Sequence, residues 1–247
     1  MNLELILRFA IADFKLKNEG SYLGIFWYLL NPILMFLLLF LIFFDRLGQG
    51  IQNYQLYLFL GIIMFNFFQK TTLESTRAIW NNNTLIKSIN FPKETLIQSI
   101  ILRNLFSHFF EIILFGIFLT IKGVSPLNII FYPIILLSLT VFTYGVCLLL
   151  SSITTHIIDL EKIWIFFSSL IWFGTPIFYS IAGQTRLLKA NLLNPLYYFI
   201  TSAREFIIYS NLPPNWMLLG LILFPLLTLT IGSIIFSKLK NKFAELI

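Results

Sequence analysis

The chain reads as an all-α integral membrane protein: six transmembrane helices, an N-terminal interfacial amphipathic helix and outer re-entrant helices. Three observations lead there. Six long apolar runs, roughly 25–44, 54–69, 104–121, 129–153, 163–181 and 216–236, fill most of the 247 residues. Most of them approach the ~20 residues a helix needs to cross ~30 Å of hydrocarbon. Hydrophobic residues make up 58% of the chain and charged residues 11%, too little polar surface for a water-soluble domain of this length. In lipid each backbone N–H and C=O must be satisfied inside its own segment or by packed protein, which selects helices. No internal repeat or low-complexity linker divides the chain, so residues 1–247 are expected to form one membrane domain.

Residues 2–17, within an interfacial segment 1–24, predict a helix lying on the membrane surface. At 100° per residue Glu4, Arg8 and Lys15 share one stripe while Leu3, Leu7 and Phe14 share another. A helix too charged to span, placed directly before a span, suits the water–lipid boundary. It serves as an anchor, or it brings Arg8, Lys15 and Lys17 to anionic headgroups, each worth ~1 kcal/mol against an anionic leaflet. The acidic residues Glu4, Asp13 and Glu19 distinguish this end from a secretory signal.

The first run enters with Trp27 and Tyr28, residues typical of the interface, and is interrupted by Asn31-Pro32, where a kink is expected. Between the second and third runs lies a connection unlike a loop in composition. There, within residues 78–95, Leu85, Ile86 and Ile89 recur at helical spacing with Thr84, Lys87 and Ser88 as polar neighbours, so a short amphipathic helix is expected. Phe91-Pro92 should end it. Pro92 suits the first position of the next helix, with Lys93 following and Glu94 in its first turn. Such a segment either closes the connection or docks a partner. Within the outer stretch 182–213, Asn194-Pro195 reads as a cap and first turn, followed by about four turns to Tyr209 and a stop at Pro213-Pro214. That helix is too apolar for solvent yet carries Arg204-Glu205 too near its centre for an ordinary span, so an interfacial or re-entrant helix is expected, tolerated where its ends are buried in protein or line a cavity.

Charge sets the orientation. The N-terminus, the 70–103 connection, the 156–162 turn and the tail after Phe236 carry 3, 5, 1 and 3 Lys/Arg, 12 of the 17. The positive-inside rule places these segments, and both termini, in the cytoplasm.

Few residues suggest chemistry. Cys147 is the single cysteine, and no Cys/His cluster has metal-ligand spacing. His108 and Glu111 stand three apart on one face of the third run, as an interhelical hydrogen-bonding pair or as a proton relay. Asp159 and Glu161 beside His156 form the single acidic cluster near an interface. No G-x-x-x-x-G-K-[ST] loop occurs, so no phosphate cradle for ATP is expected in this chain. Nothing suggests a nucleic-acid partner.

In register, SYLGIFWYLLNP, NTLIKSINFPKE, DLEKIWIFFSSLIWFGTPIFY, LLNPLYYFITSARE and the basic tail KLKNKFAELI resemble the membrane subunit of type-2 ABC exporters. The branch resembled exports O-antigen, capsule and teichoic-acid polysaccharides, and the similarity covers nearly the full length. The chain departs from that pattern at Ile158-Asp159, where Arg-Asp is frequent. The resemblance implies a homodimer, two separate ATP-binding subunits that hold ATP and Mg, and a lipid-linked polysaccharide as cargo in the inner membrane. By position, Leu85–Glu94 would couple to the ATPase, and Asn194, Pro195, Tyr198 and Arg204 would belong to an outer gate. Trp27, Tyr28, Trp172, Phe173, Phe178 and Tyr179 would be candidates for stacking on sugar faces. Two other functions stay open at this level: export of a lipo-oligosaccharide, lipid or drug, and a membrane-embedded glycan transferase.

Overall fold

The computed structural model describes residues 3–18, 26–181 and 184–246. Among them every regular element is helical. Helix α1 (Leu3–Asn18) precedes α2 (Phe26–Phe43), which runs into a π-turn (Phe44–Gly48). Then come α3 (Tyr54–Thr76), the short α4 (Ala78–Asn81) and α5 (Asn83–Ser88), and α6 (Glu94–Ile121). A 3₁₀ turn (Pro126–Phe131) leads into α7 (Tyr132–Thr154), followed by α8 (Leu160–Gly174), α9 (Thr185–Leu192) and α10 (Pro195–Ile207). The chain closes with α11 (Asn215–Leu239) and α12 (Phe243–Leu246).

Among the described residues five stretches are long and apolar enough to cross a membrane: Leu29–Gly48, Tyr54–Thr76, Glu94–Ile121, Pro126–Thr154 and Asn215–Lys242. The chain is a multi-pass membrane protein. The expected fifth run behaves differently. Its helix α8 has 15 residues, about 22 Å at ~1.5 Å per residue, short of ~30 Å of hydrocarbon. Thr175 turns extended at φ −84°, ψ 137° because the proline that follows it disfavours the helical region. The run 163–181 is therefore a helix plus an irregular segment.

The second run, α3, sits at the centre and touches α2, α6, α7, α8 and α10. It is apolar nearly all round, and helices of that kind are buried by other helices. Leu56, Leu58, Leu60, Ile62, Ile63, Met64 and Phe65 are fully enclosed. The most extensive pairing joins α7 and α11. It depends on Gly145 and Gly232: a Cβ on the first would collide with the backbone of Thr228, one on the second with the carbonyl of Gly145. Without a hydrophobic drive between helices in lipid, such close backbone approach supplies the van der Waals attraction.

Two boundaries differ from the sequence reading. Helices α3 and α6 extend past the apolar runs to Thr76 and back to Glu94, so the 70–103 connection shrinks to residues 77–93. The flanking polar residues pair with one another between helices, which keeps them inside the bundle. Helix α1 forms as expected but with another inner face. Ile6 and Ala10 are buried, and Phe9 and Phe14 meet Phe91 and Phe106 at 5.9 and 5.3 Å between ring centroids. Leu7 and Ile11 point outward instead. Docking on α6 uses one apolar stripe and leaves a second exposed, as suits a helix lying between protein and lipid.

Candidate transport path and coupling elements

The irregular segment after α8 survives because its carbonyls from Thr175 to Tyr179 are provided for. Arg204, on α10, is 1% exposed and reaches across to this segment and to α3. Its Nη1 donates to the Pro176 carbonyl at 2.6 Å and its Nη2 to that of Ile177 at 3.0 Å. Nε and Nη2 both donate to the Tyr57 carbonyl, at 3.1 and 2.9 Å. The guanidinium lies 3.3 Å from the centroid of the Tyr57 ring, a cation–π contact strengthened by desolvation. The Tyr57 hydroxyl serves Tyr179 O at 2.7 Å and Pro176 O at 3.1 Å, and Tyr54 donates to Phe178 O at 2.9 Å. Non-helical backbone at membrane depth requires such internal partners, and the five rigid donors of arginine suit the task better than an ammonium would. Gly61 makes room: a Cβ there would meet Arg204 Nη2.

The other expected gate residues join the same fastening. Asn194 caps α10 by accepting from Leu196 N at 3.1 Å, and its Nδ2 donates to Thr175 Oγ1 at 2.7 Å. Pro195 takes the first helical position. Tyr198 donates to Leu192 O at 2.8 Å and fills the space that a side chain at position 220 would need. A cavity of about 360 Å³ opens beside them, walled in part by Tyr57, Tyr197, Arg204, Glu205 and Tyr209. Burial pushes the Tyr209 phenol up to about 12, against the opposite pull of the Arg204 guanidinium.

The expected coupling segment is held at one point. Ile86 is buried in a cluster with Ile79, Leu96, Ile97, Phe236 and Phe243. Lys87 is exposed and Leu85 half-buried. Helix α5 ends at Ser88, so Ile89 is extended at φ −133°, ψ 147° and 51% exposed. The helix thus stops before Phe91-Pro92, and its apolar positions do not share one buried face, because six residues make too few turns. Phe91 packs on α1 and on this cluster. Pro92 lies two residues before α6, where its carbonyl accepts from Thr95 N at 3.0 Å. The C-terminal tail clasps the same spot: Lys93 donates to Lys240 O at 3.0 Å, and Lys240 pairs with Glu94 at 2.8 Å.

The path aromatics split. Trp172 is buried edge-to-face against Phe65, with ring centroids 4.8 Å apart. Phe173 is 65% exposed. Phe178 stacks on Phe43 at 4.9 Å, and Tyr179 folds back on Phe173 O and Gly174 O at 3.1 and 2.9 Å. Trp27 is half exposed, whereas the side chain of Tyr28 lies outside the described residues. At the entry, Arg8 pairs with Glu4 at 2.7 Å, both exposed. Lys15 is exposed, and the Lys17 side chain lies outside the described residues.

The acidic cluster near α8 does not converge: Asp159 pairs with Lys162 at 3.0 Å, Glu161 with Arg77, and His156 contacts Thr155. The His108–Glu111 pair is interhelical in its reach. Its imidazole lies 2.7 Å from the carboxylate and, through Nε2, 2.6 Å from the Tyr132 hydroxyl on α7.

Sequence reasoning missed a polar seam between α3 and α6. Glu74 pairs with Arg103, and Asn104 Nδ2 donates to Glu74 at 2.9 Å and Thr71 Oγ1 at 3.2 Å. Each of these residues stood at the edge of an apolar run: Thr71, Glu74 and Arg103 read as part of the loop, and Asn104 as the first residue of the third run. A signal was available: Lys70–Glu74 and Gln98–Arg103–Asn104 continue the helical period of their runs. Two cavities open along this side of α3. One of about 300 Å³ lies between α2, α3 and α6. Another of about 380 Å³ reaches Trp172 and Phe173. Asn31, Asn66 and Gln69 border both.

Residues 6–208 match the ABC-2 type transporter family. The chain is 26% identical over 245 residues to the O-antigen export system permease protein RfbA of Myxococcus xanthus, covering 98% of this chain and 94% of that protein. A protein of the same name from Klebsiella pneumoniae is 27% identical over 248 residues, covering 99% and 95%. A family match across about five-sixths of the chain leads to one conclusion: this chain belongs to the ABC-2 type transporter family.

Proposed function

We propose that this chain is the transmembrane subunit of an ATP-driven exporter that carries an O-antigen-type, lipid-linked polysaccharide across the inner membrane. The observation that carries this reading is the end-to-end similarity to O-antigen export permeases, 98–99% of this chain against 94–95% of theirs. Two copies form the path, and two separate ATP-binding subunits hold ATP and Mg. Both termini face the cytoplasm, in accord with the excess of Lys/Arg on that side. The α8–Tyr179 region forms the fifth of six crossings, as helix plus extended chain, a reading supported by satisfied carbonyls from Pro176 to Tyr179. Helix α5 and the residue after it, with exposed Lys87 and Ile89, dock on the ATPase; the tail braces them. Asn194, Pro195, Tyr198 and Arg204 hold the outer end, and the exposed rings of Trp27 and Phe173 are the aromatic faces open to sugar. Arg8, Lys15 and Lys17 meet the anionic lipid head at the entry.

Disrupting the gene in its native strain tests this. Surface polymer should vanish and lipid-linked polymer should accumulate inside, with both effects reversed by the intact gene. Unchanged surface polymer would overturn the reading.

A further inference from the structure

The cavity between α2, α3 and α6 holds a feature that the packing leaves unexplained. Asn104 is 3% exposed and lines it. A carboxylate accepts and cannot donate, so the group facing Glu74 at 2.9 Å is Nδ2. That fixes the other atom as Oδ1, and Asn104 Oδ1 is buried without a hydrogen-bond partner among the described residues. Buried polar atoms are nearly always satisfied, and leaving one unmade costs about 1–3 kcal/mol. Oδ1 has under 1 Å² of accessible surface in this conformation, so a donor reaches it when the cavity wall shifts; an acceptor held in this state beside a cavity points to such a donor arriving from outside.

The remaining walls say what kind of donor. Asn31, Asn66 and Gln69 add three carboxamides to Asn104, and Trp27 adds an aromatic face. Each carboxamide offers both donor and acceptor, the pattern that adjacent hydroxyls present in return. The charges do not favour an anion. Glu111 is held by His108 at 2.7 Å, Lys70 is already engaged, and Glu74 with Arg103 stands behind Asn104. The volume, about 300 Å³, lies at the lower end of the ~300–1,000 Å³ usual for small-molecule sites.

We propose that this cavity is a binding subsite for one neutral sugar ring, whose hydroxyl donates to Asn104 Oδ1 while Asn31, Asn66 and Gln69 engage its other hydroxyls. It deepens the reading of the chain as a polysaccharide exporter and rests on it. The subsite adjoins the second cavity through Asn31, Asn66 and Gln69, so a polymer leaving it meets Trp172 and Phe173 next.

The test uses the full chain assembled with its ATPase subunits in detergent. The probe is a single-repeat oligosaccharide, cut by mild acid from the polymer of the producing strain, and binding is followed by calorimetry. Saturable binding is expected, weakened at least tenfold in Asn104→Leu and in Asn31→Leu, with inorganic pyrophosphate failing to compete. Asn31 is exposed, so its variant folds even where Asn104→Leu does not. No saturable binding, binding unaltered in Asn31→Leu, or displacement by pyrophosphate would each overturn the proposal. The same strains separate the two claims. Export that depends on the gene but is normal in both variants sinks the subsite alone, whereas export independent of the gene sinks the exporter reading itself.

Discussion

Helices α10 and α5 are both short, both lie outside the long spans, and are built in opposite ways. Helix α10 carries a buried cation whose hydrogen-bond donors are engaged by three backbone carbonyls, a capping asparagine, and a tyrosine locked against α11. Helix α5 is fixed by one buried side chain, Ile86, and by a partly exposed ion pair at the start of α6. The difference teaches where rigidity is placed. In the proposed arrangement the irregular backbone lies within the membrane with no solvent to fall back on, so α10 must hold it permanently. In the same proposed arrangement α5 lies at the aqueous face with water as an alternative partner, and a weak hold would leave it free to follow a docking surface.

The largest break in that comparison should come from Arg204→Met. It removes four charge-assisted hydrogen bonds and the cation–π contact, and leaves Ile177 O buried without its arginine donor while Pro176 O keeps the Tyr57 hydroxyl, at a cost of about 3 kcal/mol or more. Thermal unfolding in detergent should show a markedly less stable protein, and Arg204→Lys should rescue it poorly because an ammonium cannot reproduce the fork. If Arg204→Met unfolds at the wild-type temperature, α10 is not the fixed end.

Ile86→Ala comes next, at about 2 kcal/mol, the lower end for truncating a buried isoleucine. Because α5 is held locally, the loss should appear as faster protease cleavage within residues 77–93, with the global unfolding transition little moved. A global shift equal to that of Arg204→Met would erase the distinction between the two helices.

Lys240→Gln sharpens the picture at smaller scale. The Glu94–Lys240 pair is partly exposed, and such pairs contribute about 0–1 kcal/mol. Hydrogen exchange should rise modestly around residues 89–94 and hardly elsewhere. Exchange unchanged there would show that the tail does not brace this junction.

The smallest effect on stability belongs to Ile89→Ser, within about 0.5 kcal/mol, as for exposed positions generally. Its consequence should be functional: the ATPase subunit co-purifies less well and surface polymer falls. Normal recovery of the complex with normal export would remove Ile89 from the docking surface.

Much of this molecule was legible in its residues. Apolar length marks α2, α6, α7 and α11 because the membrane imposes the same rule on every span. Asn194-Pro195 announces α10 because capping is a local hydrogen bond. Charge bias proposes an orientation without reference to any contact. Interhelical pairing carries no such local mark. Arg103 and Glu74 read as loop charges because each is costly in lipid alone, and only their meeting makes them tolerable inside the bundle. Run 163–181 read as a plain span because nothing nearby in sequence tells that Arg204, Tyr54 and Tyr57 supply the partners its broken helix lacks. The short reach of α5 was equally hidden, since spacing suggests a face but six residues cannot complete one. Periodicity, caps and charge act within a few residues and so are written in the sequence. Satisfaction of buried polar groups is shared between distant residues, and tertiary structure alone decides it.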